Sequence, residues 1–183
     1  MRGLGVLRTP RLILRPFASE DVDALHALWI DPSVRQYLWD DVVISRSVAQ
    51  QVFDSHLANV ERHGIGYWGV YVAQGSSAVA GFCGFRFVGE GPEIELMYGL
   101  RGEYWGKGLA TEACGAALNH LWLTTGFQRV YARTDPPNQR SVAVMQRLGL
   151  THVSTTKTMI SYVLDRPGIA DSKFSRKSAR LAI

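Results

Sequence analysis

Residues 104 to 112 read Tyr104-Trp105-Gly106-Lys107-Gly108-Leu109-Ala110-Thr111-Glu112 and lie between a strand-like run and a helix-like one. Two glycines one residue apart at the entrance of a helix let a chain wrap its amides around phosphates. The first N–H groups of a helix have no internal partner, and the helix dipole adds positive potential there. Glycine removes the Cβ that would hold a pyrophosphate away and permits backbone angles closed to other residues. The segment is therefore read as the seat of a phosphorylated cofactor. A Walker loop would need G-x-x-x-x-G-K-[ST], but here Lys107 stands between the glycines and no Ser or Thr follows it. A dinucleotide fingerprint needs a third glycine where this chain has Thr111, and its unit would not come late, behind several strands. Both alternatives fit poorly.

The elements that must position this loop follow from periodicity. Arg11–Pro16 alternates around Leu12 and Leu14 and reads as a first strand. Ser19 is read as the N-cap of a helix over Asp21–Trp29, and Ser45 as the cap of a second helix carrying Val48, Val52, Phe53, Leu57 and Val60 and ending near His63-Gly64. Between them Asp31-Pro32 interrupts the pattern, and the stretch to Ile44 is aromatic and irregular. From Gly66 the period changes to 2, and Tyr67–Ala73, Ala78–Val88 and Glu93–Leu100 predict a meander of three strands. A helix from about Gly108 to Thr124 points Leu109, Ala113, Ala117 and Leu121 inward. Arg129–Thr134 is a fifth strand, Asp135–Asn138 a turn, Ser141–Leu148 a short helix, and Leu150–Thr155 and Thr158–Leu164 two last strands. The order predicts a mixed α/β sheet with helices on both faces, and a parallel crossover from the fourth strand through the glycine-loop helix to the fifth.

Composition narrows the function class. The 183 residues are expected to form a single domain over 1–164 and a basic, mobile tail over 165–183. Of the net charge of +4, the tail contributes +3: Arg166, Lys173, Arg176, Lys177 and Arg180 against Asp165 and Asp171. The body is then close to neutral and offers no basic face for nucleic acid. Cys83 and Cys114 lie far apart without a C-x-x-C or histidine cluster, which speaks against a metal and against a disulfide scaffold. No stretch approaches the roughly 18 apolar residues of a membrane span, and the apolar start is too short for a signal peptide. A cytoplasmic protein, with a homodimer as a fair default, is the expectation.

Three blocks carry a family resemblance: Thr9-Pro10-Arg11-Leu12-Ile13-Leu14-Arg15-Pro16, Glu103 through Ala113, and Asn138-Gln139-Arg140-Ser141 through Leu148-Gly149-Leu150. Over about residues 8–164 the chain resembles the GNAT superfamily of N-acetyltransferases, and most its RimJ/RimL-like branch, which acetylates ribosomal-protein N-termini. The resemblance implies a mostly antiparallel sheet splayed between the fourth and fifth strands. It implies acetyl-CoA as co-substrate, its phosphates on the amides of Gly106, Lys107, Gly108, Leu109, Ala110 and Thr111. The pantetheine arm would lie against the backbone of Tyr98, Gly99 and Leu100, with a hydrogen bond from Asn138. As a residue of the chain alone, Asn138 reads equally as a cap for the helix that follows, and the two roles are compatible.

Acetylation of an amine needs a neutral nucleophile, orientation, an oxyanion donor and a donor to the departing thiolate. Many superfamily members supply the last with a tyrosine seven residues beyond the matched asparagine, where this chain has Met145. Ser141 is the substitute that the branch resemblance offers; otherwise it is an ordinary first-turn residue. A backbone N–H near Tyr98 or Gly99 would serve the oxyanion. Glu93 and Glu95 lie two apart, on one face of their strand, and Glu95 is the expected base, with an arginine-paired strand residue as the competing reading. Tyr37, Trp39 and Asp40, with Asp41 beside them, are expected to meet the acceptor, a protein N-terminus or a small amine. Trp105 replaces the family's usual Gln or Arg. Gly102 stands where relatives often carry proline, which would loosen the loop, and Gly99 in place of a bulky residue would leave room for acyl groups larger than acetyl. A non-catalytic acyl-CoA-binding module is the competing function, motivated by Met145.

Overall fold

Eight strands make one sheet in the order β1-β2-β3-β4-β5-β6-β8-β7. The computed structural model describes residues 4–74, 78–89 and 91–168. The tail expected over 165–183 falls outside them beyond Gly168, but Asp165 ends β8, and Arg166 donates to the carbonyls of Trp122 and Thr125 at the end of the glycine-loop helix.

The predicted elements appear with small shifts at their ends. The strands are β1 (Leu7–Arg8), β2 (Leu12–Pro16), β3 (Tyr67–Val72), β4 (Gly81–Phe87), β5 (Ile94–Leu100), β6 (Arg129–Thr134), β7 (Thr151–Thr155) and β8 (Ile160–Asp165). The helices are α1 (Val22–Trp29), α2 (Pro32–Arg35), α3 (Arg46–His63), α4 (Leu109–Thr124) and α5 (Gln139–Arg147). The short β1 and α2 were not expected. Asp31 starts α2 by accepting the Ser33 N–H, with Pro32 in the first turn, where its missing N–H costs nothing. Ser45 caps α3 through the Val48 N–H, and Gly64 ends it in the left-handed region at φ 69°, both as expected. Ser19 is not a cap. It lies inside a short 3₁₀ turn, Ser19–Asp21, and the Asp21 carboxylate accepts the Ala18 N–H instead, held from the other side by Arg15.

Every neighbouring pair in the sheet is antiparallel except β5–β6, the expected parallel crossover through α4. Two cores cover the two faces. On one, α4 and α5 lay Leu109, Ala113, Ala117, Leu121, Val142 and Met145 against Leu14, Val70, Phe85, Leu96 and Val130. On the other, α1, α2 and α3 bury Leu25, Leu28, Trp29, Val34 and Phe53 against Tyr67 and Phe82. Burial of this kind stabilises at about 25 cal/mol per Å² of apolar surface. Among the described residues no helix is long and apolar enough to cross a membrane.

His56, on the buried face of α3, ties that helix to the sheet. Its Nδ1 accepts the Tyr67 N–H at 3.0 Å, and Nε2 lies 3.3 Å from the Phe17 carbonyl, so the neutral ring with its proton on Nε2 satisfies both. Burial lowers its pKa below the ordinary 6.5, opposed only by the Phe17 bond. Below the ordinary value the unfolded chain takes up a proton that the folded chain refuses. Stability is therefore complete above about pH 6.5 and falls as the pH drops, by at most about 1.4 kcal/mol per unit. Urea midpoints measured from about pH 7.5 to about pH 5.5 should fall more steeply for the wild type than for His56→Gln. A residual slope should remain in the variant, because burial lowers the pKa of His120 as well.

Candidate active site

β5 and β6 pair only at Ile94↔Val130 and Glu95↔Tyr131. Beyond that point β5 stays in register with β4 as far as Leu100, and β6 with β8 as far as Thr134. The two strands thus part while each keeps its outer neighbour, leaving backbone N–H and C=O groups along Leu96–Leu100 and Ala132–Thr134 without a strand partner across the gap. Such groups call for an extended polar chain or water. This is the splay expected between the fourth and fifth long strands.

At the end of β5 the chain makes a 3₁₀ turn, Gly102–Tyr104, and enters α4 through Gly106 at φ 72° and Gly108 at φ 74°. Both glycines are required by conformation, since L side chains rarely adopt the left-handed region. A Cβ on Gly106 would meet nothing within 4 Å, so the loop is open outward. Gly108 is the N-cap and supplies no side-chain oxygen, and the Glu112 N–H closes the first turn on the Gly108 carbonyl. The earlier N–H groups remain available to an anion. The Thr111 hydroxyl, buried in the same turn, also has no partner. These features fit the phosphates of a coenzyme.

The Thr9–Arg11 block holds this loop. Glu112 accepts the Thr9 hydroxyl at 2.6 Å, the Arg11 N–H at 3.1 Å and Arg11 Nε at 2.6 Å, while Arg11 Nη1 donates to the Lys107 carbonyl at 2.8 Å. Partial burial raises the Glu112 pKa, yet the Thr9 and Arg11 bonds outweigh it and hold the carboxyl below its usual range. Trp105 closes the loop from the other side. Its indole donates to the Leu100 carbonyl at 2.6 Å, and Arg140 of α5 lies 4.6 Å over its ring. Lys107, over the Tyr104 ring, and Arg140 bring positive charge to the loop, while that of Arg11 is balanced by Glu112. Gly102 corrects an expectation. Its N–H donates to Ser33 Oγ at 2.9 Å, and Ser33 in turn is held by Asp31. A proline has no such N–H, so glycine here fastens the turn to α2 instead of loosening it.

Asn138 is the N-cap of α5, its side-chain oxygen accepting the Ser141 N–H at 3.2 Å, which leaves its NH₂ free to donate. Ser141 Oγ lies 2.7 Å from the Tyr98 hydroxyl, which is also 3.1 Å from the Ser141 carbonyl. This contact joins β5 to α5 across the gap. Met145 is fully buried in the α4–α5 core and has no part in proton chemistry.

The opposite side of the gap is aromatic. A cavity of about 940 Å³ is lined by Trp29, Leu38, Trp39, Tyr67, Phe82 and Met97, among others, and runs along β4 and β5 under α3. Of the three residues expected to meet the acceptor, Trp39 lines this cavity and Tyr37 and Asp40 do not. Asp40 stands exposed in the left-handed region at φ 51°, close enough to Asp135 to help burial raise that carboxyl's pKa. Glu95, the last residue of β5 to pair with β6, is 4% exposed. Its Oε2 accepts Arg86 Nε and Nη2 at 3.0 and 2.8 Å, while Oε1 faces Arg133 at 3.6 Å, beyond hydrogen-bond range. One oxygen is thus taken and the other keeps its capacity to accept. Gly99 corrects a second expectation. A Cβ there would meet Phe82 at 2.9 Å and Val34 at 3.1 Å, so the volume a larger residue would fill is already occupied and no extra room for acyl groups results.

Three contributions escaped the sequence reading: the Arg11–Glu112 clamp, the Ser33–Gly102 bond and the Tyr98 hydroxyl. Thr9-Pro10-Arg11 stood out as a block, but nothing local links it to a glutamate 101 residues on.

Residues 11–151 match the acetyltransferase (GNAT) domain family. The chain is 30% identical over 148 residues to the uncharacterized N-acetyltransferase p20 of Bacillus licheniformis, covering 78% of this chain and 80% of that one. Its fold is similar to a solved acetyltransferase of Agrobacterium tumefaciens str. C58, with TM-score 0.74, 25% identity and coverage of 88% and 95%. It is also similar to RimL, the ribosomal L7/L12 alpha-N-protein acetyltransferase solved in complex with coenzyme A, with TM-score 0.73, 18% identity and coverage of 88% and 98%. With a splayed sheet, a glycine cradle on α4 and a family match over most of its length, the chain belongs to the GNAT family and is an acetyl-CoA-dependent N-acetyltransferase.

Proposed function

We propose that the enzyme transfers acetyl from acetyl-CoA to the α-amine of a peptide or protein whose first residue is apolar. The observation that carries this reading is the two-sided gap between β5 and β6. One side leads to the Gly106–Thr111 cradle, Asn138 and Ser141, and the other to the aromatic cavity at Met97 and Trp39. No carboxylate lines that cavity, whose polar lining is Ser55, Asn59, His56, His63 and Arg86, so a polyamine would find no counter-charge among the residues lining it. An apolar side chain beside the reacting amine would find aromatic surface.

In this reading the amine attacks the thioester carbonyl directly. Cys83 and Cys114 are fully buried, and burial pushes their thiols up, so neither presents a thiolate for an acyl-enzyme. Glu95 Oε1 receives the ammonium proton, directly or through a water, and the fork from Arg86 keeps the carboxylate in place. A backbone N–H at the gap edge of β5 polarises the carbonyl, and Ser141 donates to the leaving sulfur. The RimL-like overall shape supports a protein N-terminus as acceptor but does not by itself select one.

Release of free thiol from acetyl-CoA, measured with a panel of amines, tests the proposal. Peptides beginning with Met, Leu or Phe should turn over faster than peptides beginning with Asp, and faster than spermidine. A preference for spermidine would overturn the acceptor reading, and absence of thiol release with every amine would favour a non-catalytic acyl-CoA-binding module. Glu95→Gln should lower kcat by roughly 100-fold, as expected on loss of a general base. Glu112→Ala releases the clamp on the loop and should raise the KM for acetyl-CoA by roughly tenfold while leaving kcat within about twofold.

A further inference from the structure

The hydroxyl of Tyr98 has two hydrogen-bond partners, both on one residue. It is 2.7 Å from Ser141 Oγ and 3.1 Å from the Ser141 carbonyl oxygen. A phenol has one hydrogen, so two arrangements are open. In the first, Tyr98 donates to the carbonyl and the Ser141 hydroxyl donates back to Tyr98. Every group is then satisfied and the serine proton is turned away from the gap. In the second, Tyr98 donates to Ser141 Oγ, and the serine hydrogen is free to point elsewhere. Burial raises the Tyr98 pKa well above its ordinary value of 10, assisted by Cys114 and only partly offset by the Ser141 bond. The phenol therefore stays protonated and is a permanent donor.

We propose that Tyr98 is the positioning residue for Ser141: by donating to Ser141 Oγ it directs the serine hydrogen at the sulfur that leaves during acetyl transfer. This rests on the acetyl-transfer reading above and extends it to a residue first considered only for its backbone. Attack forms the C–N bond. Collapse breaks the C–S bond and leaves the electron pair on sulfur, while the ammonium proton goes to Glu95 or to water. The thiolate so formed accepts a hydrogen bond from Ser141, and Ser141 accepts one from Tyr98. Neither hydroxyl needs to lose its proton, which for a buried phenol would be unfavourable. Donation along a chain strengthens each bond, so a serine that itself accepts from a phenol is the better donor. The arrangement lies three residues beyond the last β5–β6 pair, and it holds the start of α5 against β5 at the level where the thioester would lie.

Tyr98→Phe removes one oxygen and keeps the ring in its core, so the variant should melt within a few degrees of the wild type. With saturating acetyl-CoA and a good acceptor, Tyr98→Phe should lower kcat roughly tenfold with the KM for acetyl-CoA within about twofold, as for loss of one well-placed donor. Ser141→Ala should lower it at least as much. The double variant should be no slower than Ser141→Ala alone, because Tyr98 acts only through Ser141. An unchanged kcat in Tyr98→Phe would overturn the inference. So would losses that multiply in the double variant, or a defect confined to KM. A wild type that releases no thiol with any amine would instead sink the transfer reading itself, and this inference with it.

Discussion

The separation of β5 from β6 is the constraint on which the rest of the structure depends. A parallel pair would ordinarily continue its ladder, yet here it stops after Glu95 and Tyr131. Each strand remains bonded along its outer edge, so the cost of leaving two rows of backbone groups unpaired is confined to one slot. An extended polar chain laid in that slot would complete the ladder. Because the sheet is otherwise continuous, the slot passes from one face to the other, and the two faces carry different chemistry. Amides and hydroxyls lie on the α4–α5 side, and aromatic rings with the ion-paired Glu95 lie on the α1–α3 side.

Around the slot the protein spends its long-range contacts on rigidity. Residues near the N-terminus reach α4 through Thr9, Arg11 and Glu112, α2 reaches the end of β5 through Ser33 and Gly102, and Arg140 of α5 covers Trp105. Each is modest alone, since partly exposed ion pairs contribute little to stability. Their common effect is geometric: the cradle is approached from three elements and its left-handed glycines are held ready for an anion. Preorganisation of this kind lowers the ordering cost of binding.

The fold was largely legible. Apolar alternation from Tyr67 to Leu100 and the 3.6-residue spacing of Leu109, Ala113, Ala117 and Leu121 report burial on one face, which is a local property of the chain. Ser45, Gly64 and Asn138 were legible as caps for the same reason. The failures were equally physical. Ser19 has the right side chain for a cap, but the turn begins one residue earlier, where the Asp21 N–H is taken by the Ala18 carbonyl and the Asp21 carboxylate, bound by Arg15, reaches back to the Ala18 N–H. Gly99 and Gly102 were read by what they lack, whereas their neighbours decide what they do. Phe82 and Val34 fill the space beside one, and Ser33 accepts the N–H of the other.

The sequence by itself determined the glycine turn that opens α4, because left-handed glycines, an unsatisfied helix start and a preceding strand are all consequences of adjacent residues. It also determined the order of the longer strands and helices through periodicity, which β1 and α2 are too short to show. Only the tertiary structure decided which side chains meet. The register of β5 with β4 sets which face Tyr98 occupies, and the turn after β6 brings Ser141 to it from 43 residues away. It likewise placed both Arg86 and Arg133 beside Glu95. Contacts between residues far apart in the chain depend on packing and register, which no local pattern encodes. For that reason the glycine turn could be read from a nine-residue segment, whereas the contacts of Tyr98 with Ser141 and of Glu95 with its arginines emerged only once the sheet had been assembled.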